Sequence, residues 1–163
     1  MDSLMHWFHT MKPSGWIPRE QIRGPEAETV VPAFFIPQKP NVANPPSMVF
    51  PLRFLSTRAK AGESKLQAML QYLYPRMQLF YEFYKSSQGN PTMNFTYSWR
   101  DKNKNGCLGS GLDDYPRDYL TNDRKEIHID LQAWMALFAS FMTDQAMIAG
   151  NVSQALIYSF ENK

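Results

Sequence analysis

Nine of the chain's 12 prolines fall within its first 55 residues: Pro13, Pro18, Pro25, Pro32, Pro37, Pro40, Pro45, Pro46 and Pro51. A proline inside a helix removes a backbone donor and clashes with the preceding turn, so this spacing excludes long helices. Between the prolines lie apolar pieces, Val30-Val31 and Phe34-Phe35-Ile36. A disordered linker would carry fewer large apolar side chains. Residues 1–60 are therefore expected to form an ordered, extended loop region with short helical turns, and loops of that length in a folded domain tend to serve function.

The pattern changes at Glu63. Leu66, Met69, Leu70, Leu73, Met77, Phe80, Tyr81 and Tyr84 recur at intervals of three and four, which predicts an amphipathic helix. Pro75 falls inside it and should kink it, and Gly89-Asn90-Pro91 should end it. Residues 93–100 read as extended, and a polar loop is expected from Asp101 to about Asn122. A second helix is predicted from about Asp123 to Met142. Asn122 or Asp123 would be its N-cap, and Ile127, Leu131, Trp134, Phe138, Phe141 and Met142 its buried stripe. Gly150 should end a short continuation, and Asn151–Phe160 begin another helix. Helix, long loop, helix, with no run of strands, is an all-α pattern; residues 61–163 are read as helical hairpins.

Charge and cysteine content remove several function classes. The net charge is only +2 and the basic residues are scattered, so there is no electrostatic footprint for nucleic acid. A single cysteine, Cys107, rules out an internal disulfide and a cysteine-based zinc site. No run of 18 apolar residues could span a membrane, and Asp2, His6, His9 and Lys12 interrupt any signal-peptide pattern. Asp101-Lys102-Asn103-Lys104-Asn105-Gly106 imitates the front half of a calcium loop, but its twelfth position is Leu112 where a bidentate Glu is required. No metal or cofactor is expected. Two sequons, Asn94-Phe95-Thr96 and Asn151-Val152-Ser153, give a weak hint of a secretory lumen.

The chemistry-bearing residues cluster in two neighbouring segments. Ser110-Gly111-Leu112-Asp113-Asp114-Tyr115-Pro116-Arg117 sets adjacent carboxylates on a glycine-containing turn beside an aromatic ring and an arginine. Glu126, Asp130 and Trp134 follow at helical spacing, which would place two carboxylates and an indole on one helix face. Carboxylates accept sugar hydroxyls, rings pack on sugar faces, and a carboxyl with a raised pKa can protonate a glycosidic oxygen. The commoner uses of such residues are turn chemistry for Asp113 and Asp114, helix-dipole pairing for Glu126 and Asp130, and core filling for Trp134.

Together with Glu-Ile-His-Ile-Asp-Leu-Gln-Ala-Trp at 126–134, the segment at 110–117 resembles the eukaryotic processing α-glucosidases of glycoside hydrolase family 63. Further matches follow in the family's order: Gly15-Trp16-Ile17-Pro18-Arg19-Glu20-Gln21, Asn44-Pro45-Pro46 and Leu73-Tyr74-Pro75-Arg76. The resemblance implies part of an (α/α)6 barrel, with the active site where the long loops gather. It implies inverting hydrolysis of the outermost α-1,2-linked glucose of the triglucosylated N-glycan precursor, in the lumen of the endoplasmic reticulum, by a family that is membrane-anchored. Asp113 then matches the general acid, and Glu126 and Asp130 match carboxylates that serve substrate binding. Trp134, Tyr115, Arg117 and Trp99 are expected in the site wall, while Arg19 and Glu20 sit in a motif with no assigned role.

The departures shape the expectation as much. The carboxylate that activates water lies, in this family, beyond residue 163, and an upstream glucose-holding segment is missing. The family's Trp-Arg-Gly-Arg stands here as Trp99-Arg100-Asp101-Lys102. The chain is thus expected to be an incomplete barrel of four or five helices with exposed apolar faces, carrying the acid without the base and inactive alone. The alternative expectation is a catalytically inactive carbohydrate-binding relative.

Overall fold

The computed structural model describes residues 2–33, 36, 38–100, 107–112, 115 and 126–161. Among them are six α-helices: α1 (Asp2–His9), α2 (Gly24–Val30), α3 (Val49–Lys60), α4 (Ser64–Gln88), α5 (Ile129–Ile148) and α6 (Val152–Glu161). The only sheet-like pairing among the described residues is one antiparallel bridge between Gly89 and Tyr97. The all-α expectation holds, with more helices than foreseen.

The unforeseen one is α3, which falls inside the proline-rich region. Pro51 is its third helical residue. The first turn of a helix has no intrahelical partner for its N–H groups, so a proline there costs no hydrogen bond. Val49, Leu52, Ser56 and Ala59 then make the buried stripe. Region 1–60 is therefore loop only up to Met48, with two short helices in it.

Two helical hairpins result, and both turn in the same way. After α3, the Glu63 N–H donates to the Arg58 carbonyl at 3.3 Å and the Gly62 N–H to Ala59 at 3.0 Å. After α5, Asn151 donates to Ala146 at 2.8 Å and Gly150 to Met147 at 3.1 Å. This paired closure requires a left-handed residue, supplied by Gly62 (φ 107°) and Gly150 (φ 75°). Asn151 then caps α6, its Oδ1 accepting the Gln154 N–H at 3.1 Å.

The long helix α4 is the hub, packing against α1, α3 and α5, while α6 packs on α5. As the three-and-four spacing predicts, Leu66, Leu70, Leu73, Met77, Phe80, Tyr81 and Tyr84 are buried along it, and Pro75 lies within it. Phe138 of α5 meets the rings of Phe80, Tyr81 and Tyr84 with centroids 5.5, 5.0 and 6.2 Å apart. A buried hydrogen bond from Gln145 to Ser56, 2.8 Å, ties α5 to α3. On the outer faces Phe54, Leu156 and Phe160 remain 65%, 58% and 67% exposed.

The second long helix differs from expectation at its start, while its continuation past Met142 stops before Gly150 as expected. It begins at Ile129, with His128 as N-cap, rather than at Asn122 or Asp123, which lie outside the described residues. It runs on to Ile148. Ile127 precedes it and is 42% exposed, so it is no part of the buried stripe. Residues 93–100 are also only partly extended: Thr96 pairs with Asn90 and Ser98 with Gln88, but the chain turns at Phe95 (φ 59°).

Candidate functional site

The C-terminal end of α4 collects the loops. The Tyr84 hydroxyl donates to the Asn44 carbonyl, and Gln88 donates to Asn41 at 2.8 Å, fixing the 41–46 segment. Trp16 joins from the other side, its indole N–H donating to the Val42 carbonyl at 3.1 Å. Arg100 closes the helix end. Its guanidinium donates to the carbonyls of Ser87, Gln88 and Gly89 at 2.9, 3.0 and 2.7 Å. Those carbonyls are ones that a terminating helix leaves without intrahelical partners, and a planar fork of donors suits them. Arg100 thereby locks the 97–100 segment to α4, whatever the replacement of the family's following Gly-Arg does.

Between these loops lies a cavity of about 500 Å³ lined by Ile17, Pro18 and Arg19, by Asn44 and Pro45, and by aromatic side chains including Trp7 and Tyr84. Two segments far apart in sequence thus share one wall. Arg19 and Glu20 are a weak ion pair at 3.9 Å, both about 40% exposed. The motif is held instead by amides: Gln38 exchanges hydrogen bonds with the Glu20 backbone at 3.3 and 2.8 Å. Gln21 contacts Thr10 at 3.1 Å and His6 at 2.7 Å. Gln21 therefore positions the Arg19 loop, a role its place in the motif did not reveal.

The 107–112 segment approaches the same wall. Ser110 is buried and accepts the Leu112 N–H at 3.0 Å while donating to the Cys107 carbonyl at 2.7 Å. Gly111 faces Pro45, so that a Cβ there would stand 3.5 Å from the proline ring. Tyr115 is 58% exposed. Asp113 and Arg117 lie outside the described residues, as do Asp114 and the calcium-like run at 101–106.

Glu126 and Asp130 do not share a helix face. Asp130 stands in the first turn of α5, where the helix dipole favours a carboxylate, whereas Glu126 lies before the N-cap. Tertiary contacts bring their environments together instead. The indole N–H of Trp99 donates to Asp130 Oδ2 at 2.9 Å. The Trp99 backbone N–H donates to His128 Nδ1 at 3.0 Å. Glu126 Oε2 lies 3.3 Å from His128 Nε2. The Trp99 side chain is buried, 1% exposed, so it orients a carboxylate rather than presenting its ring as a wall. His128, expected on another helix face, is buried at the helix start, its N–H donating to the Tyr97 carbonyl at 3.0 Å. Trp134 is half-buried and packs edge-on to Phe50, centroids 5.3 Å apart.

Chemically, the partly exposed carboxylates of Glu126 and Asp130 can accept hydrogen bonds from hydroxyl groups, and the separate cavity offers an arginine and aromatic edges. No group of three His, Cys, Asp or Glu side chains that could hold a metal ion occurs among the described residues. No helix among them is long and apolar enough to cross a membrane.

The model of the glycosyl hydrolase family 63 C-terminal domain matches residues 1–163. The chain belongs to glycosyl hydrolase family 63. Among family 63 relatives, the probable mannosyl-oligosaccharide glucosidase of Schizosaccharomyces pombe is 28% identical over 95% of this chain and 24% of its own length. Alpha-glucosidase 2 of Arabidopsis thaliana is 33% identical over 87% of this chain and 19% of its own. The mannosyl-oligosaccharide glucosidase of Saccharomyces cerevisiae is 26% identical over 89% and 23%. The family 63 sequence described here thus spans a quarter or less of the length of these relatives.

Proposed function

We propose that this chain is the acid-bearing part of an inverting α-glucosidase that removes the terminal α-1,2-linked glucose from the triglucosylated N-glycan precursor in the endoplasmic reticulum. The observation that carries the reading is the fixation of Asp130 by Trp99, with Glu126 set against His128. Family membership and relatives named mannosyl-oligosaccharide glucosidase support it.

In this reading Asp113 protonates the glycosidic oxygen as the bond to the anomeric carbon breaks. Water adds from the opposite face, its proton taken by a second carboxylate on a part of the protein beyond residue 163. Glu126 and Asp130 accept hydroxyl hydrogens of the glucose, and their fixed orientation spares the cost of ordering them when the sugar arrives. Tyr115, Arg117 and Trp134 border the same sugar. The helical hairpins form part of an (α/α)6 barrel.

The test is trimming of the triglucosylated glycan by the full-length gene product. Wild type should release one glucose per glycan, and Asp113→Asn should lower the rate by about a thousandfold or more at an unchanged melting temperature. Equal rates for the two proteins would sink the assignment.

A further inference from the structure

We infer that His128 is a positioning residue for both candidate sugar-binding carboxylates, an inference that rests on the glycosidase reading above. The imidazole is 4% exposed and lies between them in sequence. Its Nδ1 accepts the Trp99 backbone N–H at 3.0 Å, so the neutral ring carries its proton on Nε2. That nitrogen lies 3.3 Å from Glu126 Oε2. Trp99, held by Nδ1, directs its indole N–H onto Asp130 Oδ2 at 2.9 Å. One buried ring therefore meets Glu126 directly and reaches Asp130 through a single intermediary.

The competing role is purely architectural, with His128 only tying the Tyr97–Trp99 segment to the start of α5. Asparagine and glutamine at this position separate the two. The Asn oxygen can occupy the place of Nδ1 and keep the Trp99 bond, but leaves nothing near Glu126. The Gln amide nitrogen can occupy the place of Nε2 and face Glu126. If positioning matters, displacement of a binding carboxylate lowers kcat/KM, whereas an architectural role tracks the melting temperature.

The experiment uses the full-length gene product and a triglucosylated glycan. His128→Asn should lose about a hundredfold in kcat/KM with a melting temperature near wild type, and His128→Gln should regain part of that loss. In a Glu126→Gln background His128→Asn should cost much less, because the group it orients is already altered. Unchanged kcat/KM for His128→Asn, or equal losses for both variants that follow their melting temperatures, would overturn the inference. Nitrogen-15 spectra of the labelled histidine provide a readout independent of activity: the Nε2–H tautomer is expected, and an Nδ1–H tautomer would overturn the inference in an active enzyme. A wild type that releases no glucose overturns the glycosidase reading, and the inference with it, whatever the tautomer.

Discussion

The indole of Trp99 donates its only hydrogen to Asp130 across 31 residues of sequence, at 2.9 Å. This bond joins the segment leaving α4 to the first turn of α5, and so couples the integrity of the fold to the orientation of a candidate sugar-binding carboxylate. Trp99→Phe keeps most of the ring volume and deletes the donor. Unfolding in urea should show a loss of about 2 kcal/mol, the usual contribution of a hydrogen bond to a charged acceptor. A loss near zero would mean that the bond does not persist in solution.

Gly15 opens the Trp16–Gln21 segment and lies against α4. Its φ is +84°, and an added Cβ would stand 2.0 Å from the Leu79 carbonyl oxygen. Gly15→Ala should destabilise by roughly 3 kcal/mol or more, from strain and overpacking together. Gly62→Ala is the control: φ is +107°, but nothing lies within 4 Å, so only the strain of about 1–2 kcal/mol remains. Urea denaturation of the two variants should separate them clearly.

Glu161 ends α6 with a side chain only 4% exposed, bonded to Lys85 at 2.7 Å and to the Tyr81 hydroxyl. Glu161→Gln should cost about 1–3 kcal/mol at neutral pH and loosen α6, seen as faster amide exchange there.

The same region governs behaviour in alkali. Burial pushes the Tyr74 phenol up to about 12, helped by Tyr158, and raises Tyr84 beyond that. Tyr81 and Tyr97 are raised by burial first and then by Glu161. Burial pulls the Lys85 ammonium down, but Glu161 and Glu82 outweigh it and leave it raised. All these groups bind protons more tightly when folded, so their contribution is complete below the unfolded values near pH 10 and is lost as pH rises above them. Stability should therefore fall steeply above about pH 10, with tyrosine ionisation following the unfolding transition. Ionisation of all the tyrosines well before unfolding would contradict this packing.

The parts of this architecture written in local spacing were legible. The burial stripe of α4, its stop after Gln88 and the start of α6 after Gly150 each follow from residues within a turn or two of one another. The boundary of α5 was not, because the periodicity through Glu126 and Ile127 continues without helix; the backbone there is drawn instead to Tyr97, whose carbonyl accepts the His128 N–H. Pro51 misled in the opposite direction, since it occupies the first turn of α3, which needs no donor there. For the site, residue types were readable but not partnerships. Nothing in the spacing of Glu126, His128 and Asp130 reveals that Trp99 binds two of the three elements, or that Arg100 serves the end of α4.

The stereochemistry of release tests the glucosidase account most directly. The full-length gene product would be incubated with the triglucosylated glycan, and the first glucose released followed by proton NMR before mutarotation. The account predicts the β-anomer from the α-linked substrate, as direct displacement by water requires. Initial release of the α-anomer, or no release at all, would contradict it.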